Sequence, residues 1–382
     1  MNKAIPFNKP YVSDAGRNYV AEALASENHS GDGPFTKRCH ALLESVLGVP
    51  KVLLSTSCTH SLEMAALLLH LQPGDEVVVP SFTFSSTANA FALRGARIVF
   101  ADIRRDTLNL DEQQVASLIT PRTRTIVVVH YAGVGCEMDV LLPLAKGHGI
   151  SVVEDNAHGL FGKYRGRYLG TFGTFASQSF HETKNFSCGE GGTLIINEKR
   201  FVEEAEVIRE KGTNRSRFFR GEIDKYSWVG LGSSYLPSDI LAALLLSQLE
   251  AREQIQAKRR QIWENYYAGL EKWAEQHGIA LPFVPDHCEQ THHMFYLLLS
   301  SLQDQQALIS HLRSHGVLAV FHYLPLHLSE YGRRLGGKKD DCPVTENVSA
   351  RIVRLPFYFS LTEMEQAKII ELVCKFVPQT GH

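Results

Sequence analysis

This chain lacks most of the features that assign a protein quickly. Its 382 residues hold no apolar run near the ~18 residues that a membrane helix needs. The opening Met1-Asn2-Lys3-Ala4-Ile5-Pro6 has no apolar core of the kind a secretory leader carries. Charge of either sign is not in excess: the formal net charge is -2, which gives no case for a nucleic-acid or polyanion partner. Cysteine is sparse and scattered, at positions 39, 58, 136, 188, 288, 342 and 374, with no CxxC pair. That odd count and wide spacing exclude a disulfide scaffold and point to reduced thiols in a cytoplasm. Neither His292-His293 nor His322 with His327 has a metal-ligand spacing, so no metal is expected. There is no internal repeat and no low-complexity tract.

What is present is an alternating pattern. Strands are expected at 51–54, 76–79, 97–100, 125–129 and 151–153. Helices are expected between them at 61–71, 85–93, 111–119 and 139–148. Short β-branched runs separated by helices of ~8–12 residues indicate an α/β fold with a mostly parallel sheet between helices. A chain of this length exceeds one core, so a second domain is expected. Residues 239–270 read as one long helix or two joined helices. A smaller α+β unit follows, with strands at 294–299 and 317–323 around a helix at 303–315. The expected division is 1–245, including an N-terminal arm, and 246–382, including the connecting helix.

Open α/β sheets bind ligands beyond the carboxyl ends of their strands. Four such ends carry polar groups here. Ser55-Thr56-Ser57-Cys58-Thr59-His60-Ser61 leads a strand into a helix, whose free N–H groups and dipole would seat a phosphate. Pro80-Ser81-Phe82-Thr83-Phe84 places two rings where one could stack on a planar ligand. Glu154-Asp155 follows an apolar strand, and buried carboxylates call for a cation; His158 lies three residues further on. Ser179 to Lys184 then puts a lysine on a turn after a buried strand, where desolvation would make it an imine-forming amine. Each stretch has a bland reading as a helix cap, core ring, structural histidine or surface lysine. Their order along one sheet is the stronger signal. By contrast, Gly332-Arg333-Arg334-Leu335-Gly336-Gly337-Lys338-Lys339 misses the Ser/Thr of a phosphate-binding loop and reads as a flexible basic loop.

With Pro73-Gly74-Asp75-Glu76-Val77, Val129-His130-Tyr131-Ala132-Gly133 and Gly189-Glu190-Gly191-Gly192, these motifs resemble the DegT/DnrJ family of fold-type-I, pyridoxal-phosphate-dependent aminotransferases. The resemblance implies a large cofactor-binding domain, a smaller C-terminal domain and a homodimer with sites at the subunit interface. It implies pyridoxal 5′-phosphate as cofactor, L-glutamate as amino donor and a nucleotide-linked keto sugar as acceptor. Lys184 would hold the cofactor's carbonyl carbon and Asp155 its ring nitrogen. His158 would contact the ring hydroxyl and Phe84 would stack on the ring. Thr59, the backbone of His60 and Ser179 would hold the phosphate. Asn214 and Arg215, in the basic stretch 211–220, and His322 would reach the sugar substrate. Stretches 210–216, 221–226 and 232–236 resemble the branch that acts on a dTDP-linked 4-keto sugar. The other epimer at C4, amination at C3, and a non-catalytic cofactor-binding regulator are the competing readings. His60, Asn156 and Ser234 depart from the family's usual residues at their positions.

Overall fold

The computed structural model describes residues 4–379. Seven strands form the central sheet: β1 Lys51–Ser55, β2 Glu76–Pro80, β3 Arg97–Ala101, β4 Thr123–Val129, β5 Ser151–Asp155, β6 Phe175–Ser179 and β7 Gly192–Ile196. Their order is β1-β7-β6-β5-β4-β2-β3. Only β7 runs against its neighbours, pairing antiparallel with β1 and β6. The other pairings are parallel, so β1, β2, β4, β5 and β6 deliver their carboxyl ends to one edge. β2 and β7 are buried at every position, as expected for strands covered on both faces.

The helices between the strands keep the expected order, with shifted ends. The first begins earlier, at Cys58, because Ser57 takes an extended conformation and its side chain accepts from His60 N–H. The segment after residue 238 resolves into two helices, Asp239–Glu250 and Arg252–His277, joined at Ala251. A boundary at 245/246 falls inside the first of them, whose Leu245, Leu246 and Leu249 pack in a cluster with β1 and β7 residues. A separate cluster gathers Ile262, Tyr266, Phe295, Leu308, Val353 and Ile369 of the C-terminal part. Ile5 packs in that same cluster, so the start of the N-terminal arm lies against the C-terminal unit. Its backbone pairs there with Gly316 and Leu318.

The expected strand at 317–323 does not form. Its backbone is shared between two partners, bridging Ile5 at Val317 and Arg354 at Val320, and no continuous ladder results. β8 Tyr296–Leu298 and β9 Ile352–Arg354 form the small antiparallel pair instead. The stretch 332–339 starts inside a short helix, Glu330–Arg334. A side chain at Gly332 would strike the Leu326 carbonyl, so this turn is packed down rather than open. Asp102, beyond β3, ties the two units together. Its carboxylate accepts from Val344 N, Thr345 N and Thr345 Oγ1, each at 2.8 Å, and so caps the helix Pro343–Ser349. No helix among the described residues is long and apolar enough to cross a membrane.

Candidate active site

Lys184 follows β6 on a turn closed by its own N–H to the His181 carbonyl at 2.9 Å. Its side chain lines a cavity of about 620 Å³, to which Ser57, Thr59, Phe84, Asp155, His158 and Ser179 also contribute. Burial pushes the Lys184 ammonium below the usual lysine range, and the nearby Asp155 opposes that shift in part. A larger, shallower groove of about 890 Å³ lies elsewhere, lined by residues such as Leu142, Lys146, Arg167 and Arg200. It holds none of the candidate residues, which gather in the smaller cavity.

Asp155 ends β5. Thr87 Oγ1 donates to its Oδ2 at 2.7 Å and Ala157 N–H to its Oδ1 at 3.2 Å. These bonds fix the carboxylate, and Thr83 holds Thr87 in turn at 2.8 Å. Its neighbour Glu154 corrects the expectation of two carboxylates seeking a cation. Glu154 points to the other face, where the N–H groups of Gly170, Phe172 and Gly173 each donate at 2.7 Å. His130 Nε2 completes the set at 2.9 Å. Strand alternation sends adjacent side chains to opposite faces, so only Asp155 is left for a ligand.

The helix Cys58–Leu68 aims its N-terminus at the cavity, with Thr59 Oγ1 donating to Ser86 Oγ at 2.7 Å. First-turn N–H groups and the helix dipole suit this end to an anion. Gly192 makes the approach possible. A Cβ there would lie 2.2 Å from the Ser57 carbonyl carbon, so the start of β7 can pass this turn only as glycine. His60 stands apart from the cavity. Its N–H donates to Ser57 Oγ at 3.1 Å and its ring packs 5.2 Å from that of Tyr235. The expected backbone contact from His60 is thus taken by the helix cap.

Phe84 is 60% exposed although it lines the cavity, which leaves a ring face open to a flat ligand. His158 Nδ1 is buried with no hydrogen-bond partner among the described residues. Its ring stacks on His293, with centroids 4.1 Å apart and planes 17° apart. The His322 ring lies 6.3 Å from that of His158, its Nδ1 2.9 Å from the Tyr131 hydroxyl. Burial holds all three imidazoles well below the usual histidine range. They therefore act as neutral hydrogen-bonding groups at neutral pH.

The structure thus brings Thr59, Phe84, Asp155, His158, Ser179, Lys184 and His322 to one cavity. Asn214 and Arg215 do not line it. Arg215 Nη1 donates to Glu210 at 3.1 Å, and Asn214 Oδ1 accepts from Ser227 N–H at 2.8 Å. Sequence reasoning missed Phe7, Asn8, His293 and Arg354, which also line the cavity, as does Tyr323 beside His322. All of these come from the arm or the C-terminal unit, where no strand-to-helix pattern marks a site. The Asn156 departure is buried, with neither side-chain amide atom bonded among the described residues. It is enclosed near Gly159 and Gly170 and does not line the cavity.

The assembled groups fit a flat ligand of defined chemistry. A helix N-terminus could take an anion, Asp155 could pair with a cationic ring atom, the unpartnered His158 Nδ1 could bond a ring substituent and Lys184 could capture a carbonyl carbon. The chain is also similar to known proteins. The Bacillus subtilis spore coat polysaccharide biosynthesis protein SpsC is 30% identical over 380 residues, 97% of each chain. MJ1066, an uncharacterized protein of Methanocaldococcus jannaschii, is 30% identical over 382 residues, 98% of each. Spr1654 of Streptococcus pneumoniae, in its apo form, has a TM-score of 0.90 at 27% identity, covering 97% of this chain and 96% of that one. The same protein has been solved in forms with PLP and with PMP. The model of the DegT/DnrJ/EryC1/StrS aminotransferase family matches residues 11–374. That match runs from Tyr11 through both units and every cavity-lining strand end, and on that ground this chain is an aminotransferase of the DegT/DnrJ/EryC1/StrS family.

Proposed function

We propose that this chain moves the amino group of L-glutamate to the 4-keto carbon of dTDP-4-dehydro-6-deoxy-D-glucose, giving dTDP-4-amino-4,6-dideoxy-D-galactose for a cell-surface polysaccharide. The observation that carries the reaction type is the convergence of Lys184, Asp155, His158 and the Thr59 helix end in one cavity. Those residues fit pyridoxal 5′-phosphate. When bound, that cofactor supplies an aldehyde carbon that captures amines and a ring that delocalises the electrons left by proton removal. Lys184 Nζ, kept neutral more readily by burial, takes the α-proton of the amino donor and delivers a proton to the sugar carbon in the second half-reaction. Asp155, fixed by Thr87, holds the proton at the ring nitrogen. His158 orients the ring through its free Nδ1. The helix end at Thr59, with Ser86 and Ser179, anchors the phosphate.

The sugar substrate is supported by the family and by the polysaccharide role named for SpsC. The dTDP-linked 4-keto sugar rests on the motif resemblance at 210–216, 221–226 and 232–236. A homodimer is supported by the apolar side chains that this same region exposes, among them Phe219, Trp228 and Leu231. In such a dimer Asn214 and Arg215 would serve the neighbouring cavity, since they miss their own. Reduced thiols suit a cytoplasmic enzyme: the seven cysteines stand unpaired. The deciding experiment incubates the protein with L-glutamate and a panel of dTDP-keto sugars and assigns the product by NMR. The expected product carries an axial amine at C4. An equatorial C4 amine or a C3 amine would replace the assignment, and no reaction with any nucleotide sugar would end it.

A further inference from the structure

Arg354 ends β9 and sends its guanidinium into the cavity that holds Lys184. It makes no ion pair and no side-chain hydrogen bond to a described residue, and its Nε is sealed from solvent. Burial lowers its pKa, and the groups that oppose this are two phenols, Tyr131 and Tyr323, not a carboxylate. The buried carboxylate of the cavity is Asp155, which Thr87 and Ala157 already bind. A guanidinium desolvated without an anion is costly, and the cost is recovered when a ligand brings one.

The residue is also held rigidly. Its backbone is paired on both sides, with Tyr296 in β8 and with Val320, whose carbonyl accepts from Arg354 N–H at 2.7 Å. The Phe7 ring lies 4.7 Å from the guanidinium carbon. A ring over one face fixes the plane and leaves the edge N–H groups free, the arrangement that grips a carboxylate with two bonds. The charge of Arg354 is felt by Lys184, His158 and His322. It therefore stands close to the reacting amine. The proposed phosphate seat is at the helix end of Cys58 and Thr59, which belongs to the large unit.

We propose that Arg354 binds the α-carboxylate of the amino donor and so selects α-amino acids as donors. This rests on the aminotransferase reading of the cavity and deepens it. The donor's amine must reach Lys184, and its carboxylate is attached to the same carbon, so an anion is brought to the Lys184 neighbourhood in the first half-reaction. A fixed guanidinium at that place gives the carboxylate two parallel charge-assisted hydrogen bonds. The keto sugar carries no carboxylate, so its half-reaction gains nothing from this pairing.

The test uses the full chain loaded with pyridoxal phosphate and compares wild type with Arg354→Met and Arg354→Lys. Binding of α-methyl-L-glutamate, which has no α-proton to lose, is measured by calorimetry. Arg354→Met is expected to weaken it by roughly 100-fold, the scale of removing one partner of a buried charge pair. Arg354→Lys is expected to recover part of that loss, and cofactor affinity should be unchanged in both. In single-turnover assays the wild type should prefer L-glutamate over L-isoglutamine, whose α-carboxylate is an amide, and Arg354→Met should lose most of that preference. Unchanged donor binding in a cofactor-loaded Arg354→Met protein would overturn the assignment, as would a loss confined to cofactor affinity. Failure of the wild-type protein to take up pyridoxal phosphate would overturn the reading of the cavity itself, a different result.

Discussion

The two walls of the cavity are built on different principles. On one side, Thr59, Asp155, Ser179 and Lys184 sit at or just beyond strand ends of a single sheet. Their positions follow from hydrogen-bond registers that run the length of β1, β5 and β6. On the other side, Phe7, His293, His322, Tyr323 and Arg354 come from an arm, irregular segments and a three-residue strand. The first wall has its carboxylate fixed by Thr87 and Ala157. The second presents neutral imidazoles and a cation without a partner. A sheet edge thus suits the invariant part of the reaction, holding a cofactor, while the second wall suits recognition of what comes and goes.

The largest effect should come from the first wall. Lys184→Ala is expected to abolish the visible absorbance of the lysine-bound cofactor and to lower turnover by roughly 10⁴-fold. A variant retaining both would remove the distinction between the walls. Asp155→Asn should follow, since it takes a fixed charge from the ring nitrogen. A loss of about 3 kcal/mol, on the order of 10²-fold in turnover, is expected with the fold intact. Steady-state rates together with circular dichroism would check it. Gly192→Ala attacks the same wall through the backbone. Its Cβ would collide with the Ser57 turn, so a loss of about 1–3 kcal/mol in stability and weaker phosphate retention are expected. Denaturation with and without added cofactor would separate the two effects.

The imidazoles, His158 beyond β5 with His293 and His322 of the second wall, should show themselves in pH dependence. His158, His293 and His322 have folded pKa values below the ordinary 6.5, so the unfolded chain binds protons that the folded chain refuses. Their stabilisation is complete above about pH 6.5 and declines as pH falls below it, by up to about 1.4 kcal/mol per unit for each histidine. Urea midpoints between pH 8 and pH 5 would show this slope, and His293→Gln should flatten it. An unchanged slope in that variant would mean the imidazole stack is not the cause. The smallest effect expected is on His322→Phe. It removes one bond to Tyr131, about 1 kcal/mol, and should move the sugar half-saturation more than cofactor affinity.

Much of the first wall was legible in the sequence because local rules govern it. An apolar strand, a small hydroxyl cluster and a helix start are written in adjacent residues, as in Leu54-Ser55-Thr56-Ser57-Cys58-Thr59. The second wall was mostly hidden. Arg354 reads as an ordinary charge between Val353 and Leu355, and nothing nearby says that it lacks a partner. His322 was marked only by resemblance to a family. The expected strand around it failed because Val317 and Val320 bridge different partners, Ile5 and Arg354. Glu154 and Asp155 looked equivalent in sequence until the sheet sent one to backbone donors and the other to the cavity.

The sequence by itself determined the alternating α/β pattern, the buried lysine turn and the polar strand ends, since periodicity and local capping act over a few residues. Tertiary structure alone decided which groups remain free. Whether His60, Glu154 or Arg354 has a partner depends on residues far away in the chain, such as Tyr235, Phe172 and Phe7. Desolvation and hydrogen-bond satisfaction are set by neighbours in space, and they decide whether a side chain serves the fold or the ligand.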